Sequence, residues 1–346
     1  MTNTFYAGID LHSNNCYIAV LDDEDRPVAQ KRLPNELPAI FEFLSPWRDQ
    51  IAGTVIESTY NWYWLVDALQ KGGYAVHLAN TAAIQQYSGL KYTDDKSDAV
   101  WLARMLRLGI LATGYIYPKE MRGVRELLRR RMLLVRQQTM VLLGIKSMIT
   151  RYENIKFTAQ RIKRYCGDEE NMGEKILNHV QDENVRMAVQ SEMKVLHCIL
   201  QEVANLESII LQQIEGDKSF NLLKTIPGVG PILAMTILLE AGNISRFKKS
   251  GNFSSYCRCV STKRISNEKK KGSNNKKNGN SYLEWAFVEA AHNAIRYAPL
   301  VKKYYQRKTS RTKMVVARKA VASKLSKACY FILRDGVPFD VTKAFC

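Results

Sequence analysis

The chain is 346 residues long, 46% hydrophobic and 24% charged, with a formal net charge of +18. That length holds two or three domains with real cores, and no apolar stretch reaches the roughly 18 residues that a membrane span needs. The start MTNTFYAGID lacks the basic-then-apolar layout of a secretory signal, and the seven cysteines are scattered; both argue for a reducing cytoplasm rather than export or a membrane. The charge is unevenly spread. Residues 1–100 carry 7 Lys+Arg and 13 Asp+Glu, which leaves 44 basic and 20 acidic side chains in residues 101–346. So basic a body would repel itself without a polyanion to neutralise, and nucleic acid is the partner this predicts.

In chain order, TFYAGIDL, NCYIAVLD and RPVAQKRL (residues 4–33) read as three strands joined by polar turns, an antiparallel meander. A helix follows in ELPAIFEFLSPW, then the strand GTVIES, a helix YNWYWLVDALQKGG with a Gly-Gly stop, and the strand YAVHLA. Three hairpin strands followed by alternating helices and strands is the order of a ribonuclease-H-like α/β domain. Strands one and four are neighbours in that order, so Asp10 and Glu57 at their ends would face each other. The helix in DKSDAVWLARMLR then carries Asp95 and Asp98 on one face, three residues apart. Carboxylates so crowded repel and require a divalent cation between them. Oxygen ligands of this kind suit Mg²⁺ or Mn²⁺, and a two-metal carboxylate site belongs to phosphoryl transfer on nucleic acid. Each acid also has a plainer reading. Asp10 could cap a turn, Glu57 could pair with a lysine, and Asp95 could cap the helix with Asp98 favouring its dipole. Asp94 rivals Asp95 as the metal-binding acid, but only Asp95 stands one helical turn before Asp98. Tyr60, Trp62 and Trp64 read as core or interface, with one of them able to touch a nucleotide.

The middle of the chain is poor in Gly and Pro. Leu127, Leu128, Leu134, Val141, Leu142, Ile145 and Met148 mark one long helix. Val195, Ile199, Val203, Leu206, Ile210 and Ile214 mark another at 4-4-3-4-4 spacing, which fits a helical hairpin or coiled coil packed within the chain or between copies. Arg122, Arg125, Arg129, Arg130, Arg131 and Arg136 make the first helix basic on several faces, too much for one salt-bridged stripe, so phosphate contact is expected. Farther on, LLKTIPGVGPILAMTILLEAG places Gly228 and Gly230 between two apolar helices. This is the layout of a helix-hairpin-helix unit, whose glycines let the backbone approach a phosphate, or of a plain tight turn. Cys257-x-Cys259 lacks a second pair at zinc-finger spacing and reads as two strand residues. Lys263, Arg264, Lys269, Lys270, Lys271, Lys276 and Lys277 then stand against a lone Glu268 in a Gly/Ser/Asn-rich stretch that also holds Ser266. With so little apolar surface to bury, this stretch is expected to be mobile without a ligand. Helical sequence resumes at Tyr282 and runs, rich in Lys and Arg, to RDGVPFD.

The motifs GIDLH, VIEST, DDKSDAVWLAR, IPGVGPILA, SYCRCVSTKRIS and KKNGNSYLEWAFVEAA, in that order over nearly the whole chain, resemble the DEDD-type insertion-sequence transposases (insertion-sequence family one-hundred-ten), relatives of the pilin-gene invertases. The resemblance implies an RNase-H/RuvC-like catalytic domain at 1–117, a helical coiled-coil region at 118–216 and a mainly helical C-terminal transposase domain at 217–346. Carried over by motif, Asp10, Glu57, Asp95 and Asp98 are the metal-binding and catalytic acids. The family's nucleophilic serine falls on Ser266, five residues after the end of a Tyr-x-Gly-Leu-x-Pro stretch that here reads Tyr256-Cys-Arg-Cys-Val-Ser261. The family's Gly after that serine is Asn267 here. The activity implied is Mg²⁺- or Mn²⁺-dependent site-specific recombination through a covalent phosphoserine. It would be carried out by a homo-oligomer (dimer or tetramer) on donor and target DNA chosen by a bridge RNA. Nucleic-acid contacts are expected at Arg129, Arg130, Gly228, Gly230 and the basic residues around Ser266. Two rivals stand beside this reading: a metal-only Holliday-junction resolvase in which water attacks, and a non-catalytic nucleic-acid-binding protein.

Overall fold

The structure, a computed structural model, describes residues 4–84, 94–167, 173–260, 264–272 and 278–345. Its contacts divide the chain into two compact units, one of Met1–Lys119 with Thr262–Asn278 and one of Glu120–Ser261 with Gly279–Cys346.

The first unit opens with β1 (Phe5–Leu11), β2 (Asn15–Leu21) and β3 (Pro27–Pro34), followed by α1 (Leu37–Leu44) and a 3₁₀ turn at Ser45–Gln50. Then come β4 (Ile51–Glu57), α2 (Tyr63–Lys71), β5 (Val76–Ala79) and α3 (Asp95–Arg107). The sheet order is β3-β2-β1-β4-β5, antiparallel through the meander and parallel from β1 to β4 to β5. This is the predicted mixed α/β sheet, with strands one and four adjacent. Period-two alternation separates its faces. Phe5, Ala7, Ile9 and Leu11 enter a core with Ile40 and Leu44 of α1 and Leu65, Val66 and Leu69 of α2. On the opposite face Val55 and Ala79 pack with Leu102 and Met105 of α3.

One glycine decides how close α3 can come. A Cβ on Gly8 would stand 2.0 Å from the Ala99 carbonyl oxygen and 2.8 Å from the Ala103 nitrogen. The helix backbone therefore rests directly on β1, with small residues at both contact points of the helix.

In the stretch where composition alone leads one to expect no fixed conformation, residues 264–272 form a hairpin of β6 (Arg264–Ser266) and β7 (Lys269–Gly272). Ser266 and Lys269 are register partners, and Asn267 and Glu268 between them have φ of 49° and 58°. Two left-handed residues make the tight turn whose twist matches paired strands, and that local geometry needs no apolar burial.

In the second unit α4 (Lys119–Glu153), α5 (Ala159–Cys166), α6 (Glu174–Leu177) and α7 (Glu183–Ile214) form an antiparallel hairpin. Leu142, Ile145 and Ile149 of α4 share a core with Val185, Val189, Met193 and Leu196 of α7, whereas Val124 and Leu128 share one with Ile210 and Ile214. Val195, expected in the seam, is exposed; the buried stripe runs through Met193 and Leu196 instead. The remaining helices are α8 (Lys218–Leu223), α9 (Pro231–Ala241), α10 (Ser250–Tyr256), α11 (Ser281–Tyr297), α12 (Pro299–Thr309), α13 (Met314–Asp335) and α14 (Val341–Phe345). They enclose the core that holds Phe220, Phe253 and Phe287. Cys257 and Cys259 are not strand residues: both are buried just past the end of α10, and burial pushes the Cys259 thiol up to about 12.

A buried charge ties α4 to this core. Glu240, fully buried at the end of α9, accepts from Arg125 Nη2 at 3.0 Å, Arg129 Nε at 2.7 Å and Asn280 Nδ2 at 2.7 Å. Burial alone would raise its pKa, but the two guanidinium groups and Asn280 outweigh that and hold it below the ordinary value of 4.5. A carboxyl with a depressed folded pKa contributes stability above its unfolded pKa and loses it as pH falls through the folded pKa.

Two outcomes follow for stability. Gly8→Ala should displace α3 and cost roughly 1–3 kcal/mol or more in denaturant unfolding, as overpacking does. Glu240→Gln removes the charge that Arg125 and Arg129 share and should cost about 3–5 kcal/mol near neutral pH. The gap between wild type and this variant should be constant above pH 4.5 and narrow as the pH is lowered beneath it.

Candidate active site

The site grows from the carboxyl ends of two parallel strands. Ile9 of β1 pairs with Ile56 of β4, so the next residues, Asp10 and Glu57, emerge side by side. Asp10 is only 2% exposed. The Glu57 carboxyl is raised to about 8, first by burial, then by its hydrogen bond to Asp10 and by the charges of Asp10 and Asp98. Two carboxyl groups this close share a proton rather than both ionising.

The start of α3 supplies the other two acids. Asp94 is the cap: its Oδ1 accepts from both the Ser97 hydroxyl and the Ser97 N–H, the latter at 2.7 Å, and these bonds, the hydroxyl's first, lower its pKa. Asp94, not Asp95, is therefore the helix cap, and Asp95 and Asp98 sit in the first turn. Asp98 is raised by burial and then by the charges of Asp10, Asp95 and Asp94. Its Oδ1 is buried and has no hydrogen-bond partner among the described residues. A buried carboxylate oxygen lacking a donor, beside three further acids, fits a hard divalent cation, whose bonds would satisfy what no protein group does.

Two neighbours of the acids escape a sequence-only reading. His12 Nε2 lies 3.1 Å from Asp10 Oδ2 and 3.2 Å from Asp95 Oδ1, and Arg32 forms an ion pair with Asp95. Both had a signal. His12 is two residues beyond Asp10, on the same side by strand alternation. Arg32 belongs to the cross-strand row Asp10–Tyr17–Arg32 that the meander register creates. Cys16 also borders the site; burial first and the Asp10 charge second push its thiol up to about 12, so it stays protonated. Of the nearby aromatics, Trp62 and Trp64 pack against the sheet core, as expected. Tyr60, three residues after Glu57, is 83% exposed.

The positions expected to touch nucleic acid fall into several groups. Arg129 is bound to buried Glu240 and lies over the Tyr282 ring, 4.7 Å from its centroid. Arg131 pairs with Glu207 at 2.6 Å, and Arg122 and Arg125 are buried. The basic start of α4 is thus partly internal, because acids remote in sequence meet it in the fold. Arg130 is exposed, 3.5 Å from Glu126 one helical turn away. Gly228 serves packing: at φ 81°, its Cβ would stand 2.4 Å from the Ala290 carbonyl oxygen of α11. Gly230 borders open space at the start of α9. Lys269 and Lys271 are exposed on β7. Lys263, Lys276 and Lys277 lie outside the described residues, as do the side chains of Arg264, Ser266 and Lys270.

No curated protein matches the chain. Two protein-family models do, in the order of its two functional halves. The DEDD transposase model of IS110 type matches residues 7–153, which contain all four acids. The model described as Transposase IS116/IS110/IS902 family matches residues 220–306, which contain the hairpin and its flanking helices. The chain belongs to the IS110/IS116/IS902 family of transposases, enzymes that cut and rejoin DNA.

Proposed function

We propose that the chain is the site-specific recombinase of an insertion sequence. It cuts and exchanges DNA strands with Mg²⁺ or Mn²⁺ held by Asp10, Glu57, Asp95 and Asp98, and with Ser266 as nucleophile. The observation that carries this reading is the gathering of Asp10, Glu57 and Asp98 around a buried carboxylate oxygen that has no hydrogen-bond partner among the described residues. A bound divalent cation would supply the positive charge that steadies the scissile phosphate and the deprotonated serine.

The chain's own residues do the rest. Glu57, held protonated beside Asp10 when no cation is present, gives up that proton as it takes on ligand duty. Ser266 Oγ forms a bond to phosphorus while the bond from phosphorus to one sugar oxygen breaks. The serine's proton is lost, and the leaving sugar oxygen ends as a hydroxyl. Strand exchange reverses the step: a sugar hydroxyl of the other duplex attacks the phosphoserine and releases Ser266. The grouping of Thr262–Asn278 with Met1–Lys119 as one compact unit supports bringing the serine and the acids together. Exposed Arg130, Lys269 and Lys271, with the open turn at Gly230, are the contacts for DNA and for a bridge RNA that chooses the sites. Leu133, Met140 and Leu143 on α4 and Met187 and Val195 on α7 are exposed apolar residues on the long helices. They support a coiled-coil homo-oligomer, a dimer or tetramer, in a protein divided functionally at 1–117, 118–216 and 217–346 and working in the cytoplasm. Among the described residues no helix is long and apolar enough to cross a membrane.

The expected results are distinct for the two roles. Asp10→Ala should lose strand cleavage while retaining DNA binding in a gel-shift assay. Ser266→Ala should yield no covalent protein–DNA adduct on a denaturing gel. An adduct that persists in Ser266→Ala removes the serine from the chemistry. Cleavage by the wild type with no adduct at all points to the resolvase-like alternative in which water attacks.

A further inference from the structure

We infer that His12 is a cation ligand, and that the site is a pair of cation positions sharing Asp10: one formed by Asp10, His12 and Asp95, the other by Asp10, Glu57 and Asp98. This rests on the cation-dependent reading above and assigns to it a nitrogen ligand and a consequent metal preference.

Three observations lead there. The first is distance. One ligand atom each from Asp10, His12 and Asp95 forms a single cluster. His12 Nε2 stands 3.1 Å from Asp10 Oδ2 and 3.2 Å from Asp95 Oδ1, spacings that two ligands of one cation at about 2.1 Å from each can have. The second is division of labour among the acids. Glu57 is hydrogen-bonded to Asp10 and feels Asp98, and Asp98 keeps its orphan oxygen buried. His12 touches Asp10 and Asp95 instead. Asp10 belongs to both sets, and its two oxygens can serve one position each; Asp98 also feels the charges of Asp95 and His12, so the two positions are neighbours.

The third observation is how firmly the His12 backbone is held. Its N–H donates to the Asn15 carbonyl at 2.9 Å. Its carbonyl accepts from Asn35 Nδ2 at 3.0 Å and from Asn61 Nδ2 at 3.1 Å. Asn35 also donates to the Ser13 carbonyl, and Asn61 Oδ1 accepts from the Thr59 hydroxyl at 2.8 Å. The His12 side chain itself is 43% exposed, so this anchoring contributes little through burial. It fixes the backbone from which the imidazole projects, and the ring itself is oriented by its contacts with Asp10 and Asp95. Imidazole is a softer donor than carboxylate and suits later transition metals better than Mg²⁺. The His12 position therefore favours Mn²⁺ over Mg²⁺ more strongly than the all-carboxylate position does.

The test is Mn²⁺ titration of the full-length protein with electron spin-echo spectroscopy, which detects the nitrogen of a coordinated imidazole. Wild type should show that nitrogen coupling, and His12→Ala should lose it while still binding Mn²⁺ at the Asp10–Glu57–Asp98 position. The variant's Mn²⁺ affinity should fall roughly tenfold or more, with its Mg²⁺ affinity less affected. Should His12→Ala not fold, His12→Gln serves in its place. Bound Mn²⁺ without nitrogen coupling in wild type, or coupling that survives in the variant, overturns the assignment of His12 and leaves the carboxylate site standing. Failure of the wild type to bind Mn²⁺ or Mg²⁺ at all overturns both.

Discussion

The contact between the backbone of α3 and Gly8 is the constraint on which the site depends. Four acids can meet only if a helix start is pressed onto the end of a strand, and no side chain fits between Gly8 and Ala99. The approach is opposed by charge. Two carboxylates about 4 Å apart repel by roughly 4 kcal/mol at an effective dielectric of 20. Burying Leu102 and Met105 of α3 against the sheet returns roughly 1.5–3 kcal/mol each. These magnitudes are comparable, so packing can hold the acids together only if some of the repulsion is relieved. The relief is visible in the raised pKa of Glu57 and Asp98 and in the positions of His12 and Arg32 beside Asp95.

Positive charge elsewhere is divided between holding the fold and facing outward. Glu240 shows the first use. Stripped of water, it is tolerable only because Arg125, Arg129 and Asn280 all donate to it. Those donors come from α4 and from the residue capping α11, so one carboxylate fastens three helices. Arginine suits this role because its planar fork reaches a carboxylate with two N–H groups at once. Arg130, next to Arg129, points from another face of the same helix and is exposed. Exposed and buried arginines are thus interleaved along α4 at helical spacing.

The sheet was readable because its signals are local. Alternation in FYAGIDL, the polar turns of the meander and the Gly-Gly stop after α2 each act over a few residues, and they order the strands without long-range knowledge. The acids were readable for the same reason, since strand ends and a three-residue helical spacing are sequence properties. What eluded the sequence depends on partners far along the chain. Arg129 and Glu240 are separated by 111 positions, and no pattern around either announces the other. Gly228 illustrates a different limit: in sequence, a glycine that lets a backbone approach a phosphate and one that lets a helix approach a turn look alike, and the contact with Ala290 becomes visible only in the fold. Cys257 and Cys259 failed differently again. The i, i+2 spacing suggests a strand, but the end of α10 buries both.

The hairpin around Ser266 shows why a departure from a family motif can leave a geometry intact. The tight turn needs positive φ at both central positions, and Asn267 and Glu268 provide it at 49° and 58°. Glycine adopts that conformation freely; asparagine is the next most tolerant residue, and glutamate bears a cost of about 1–2 kcal/mol. Asn267 is therefore the replacement for glycine that disturbs the turn least. The cost at Glu268 is met by the pairing of β6 with β7, which sets Ser266 against Lys269 in the register. A turn with negative φ would splay the strands and abolish that register. What the turn requires after Ser266 is thus a backbone conformation rather than glycine itself, and Asn267 adopts it.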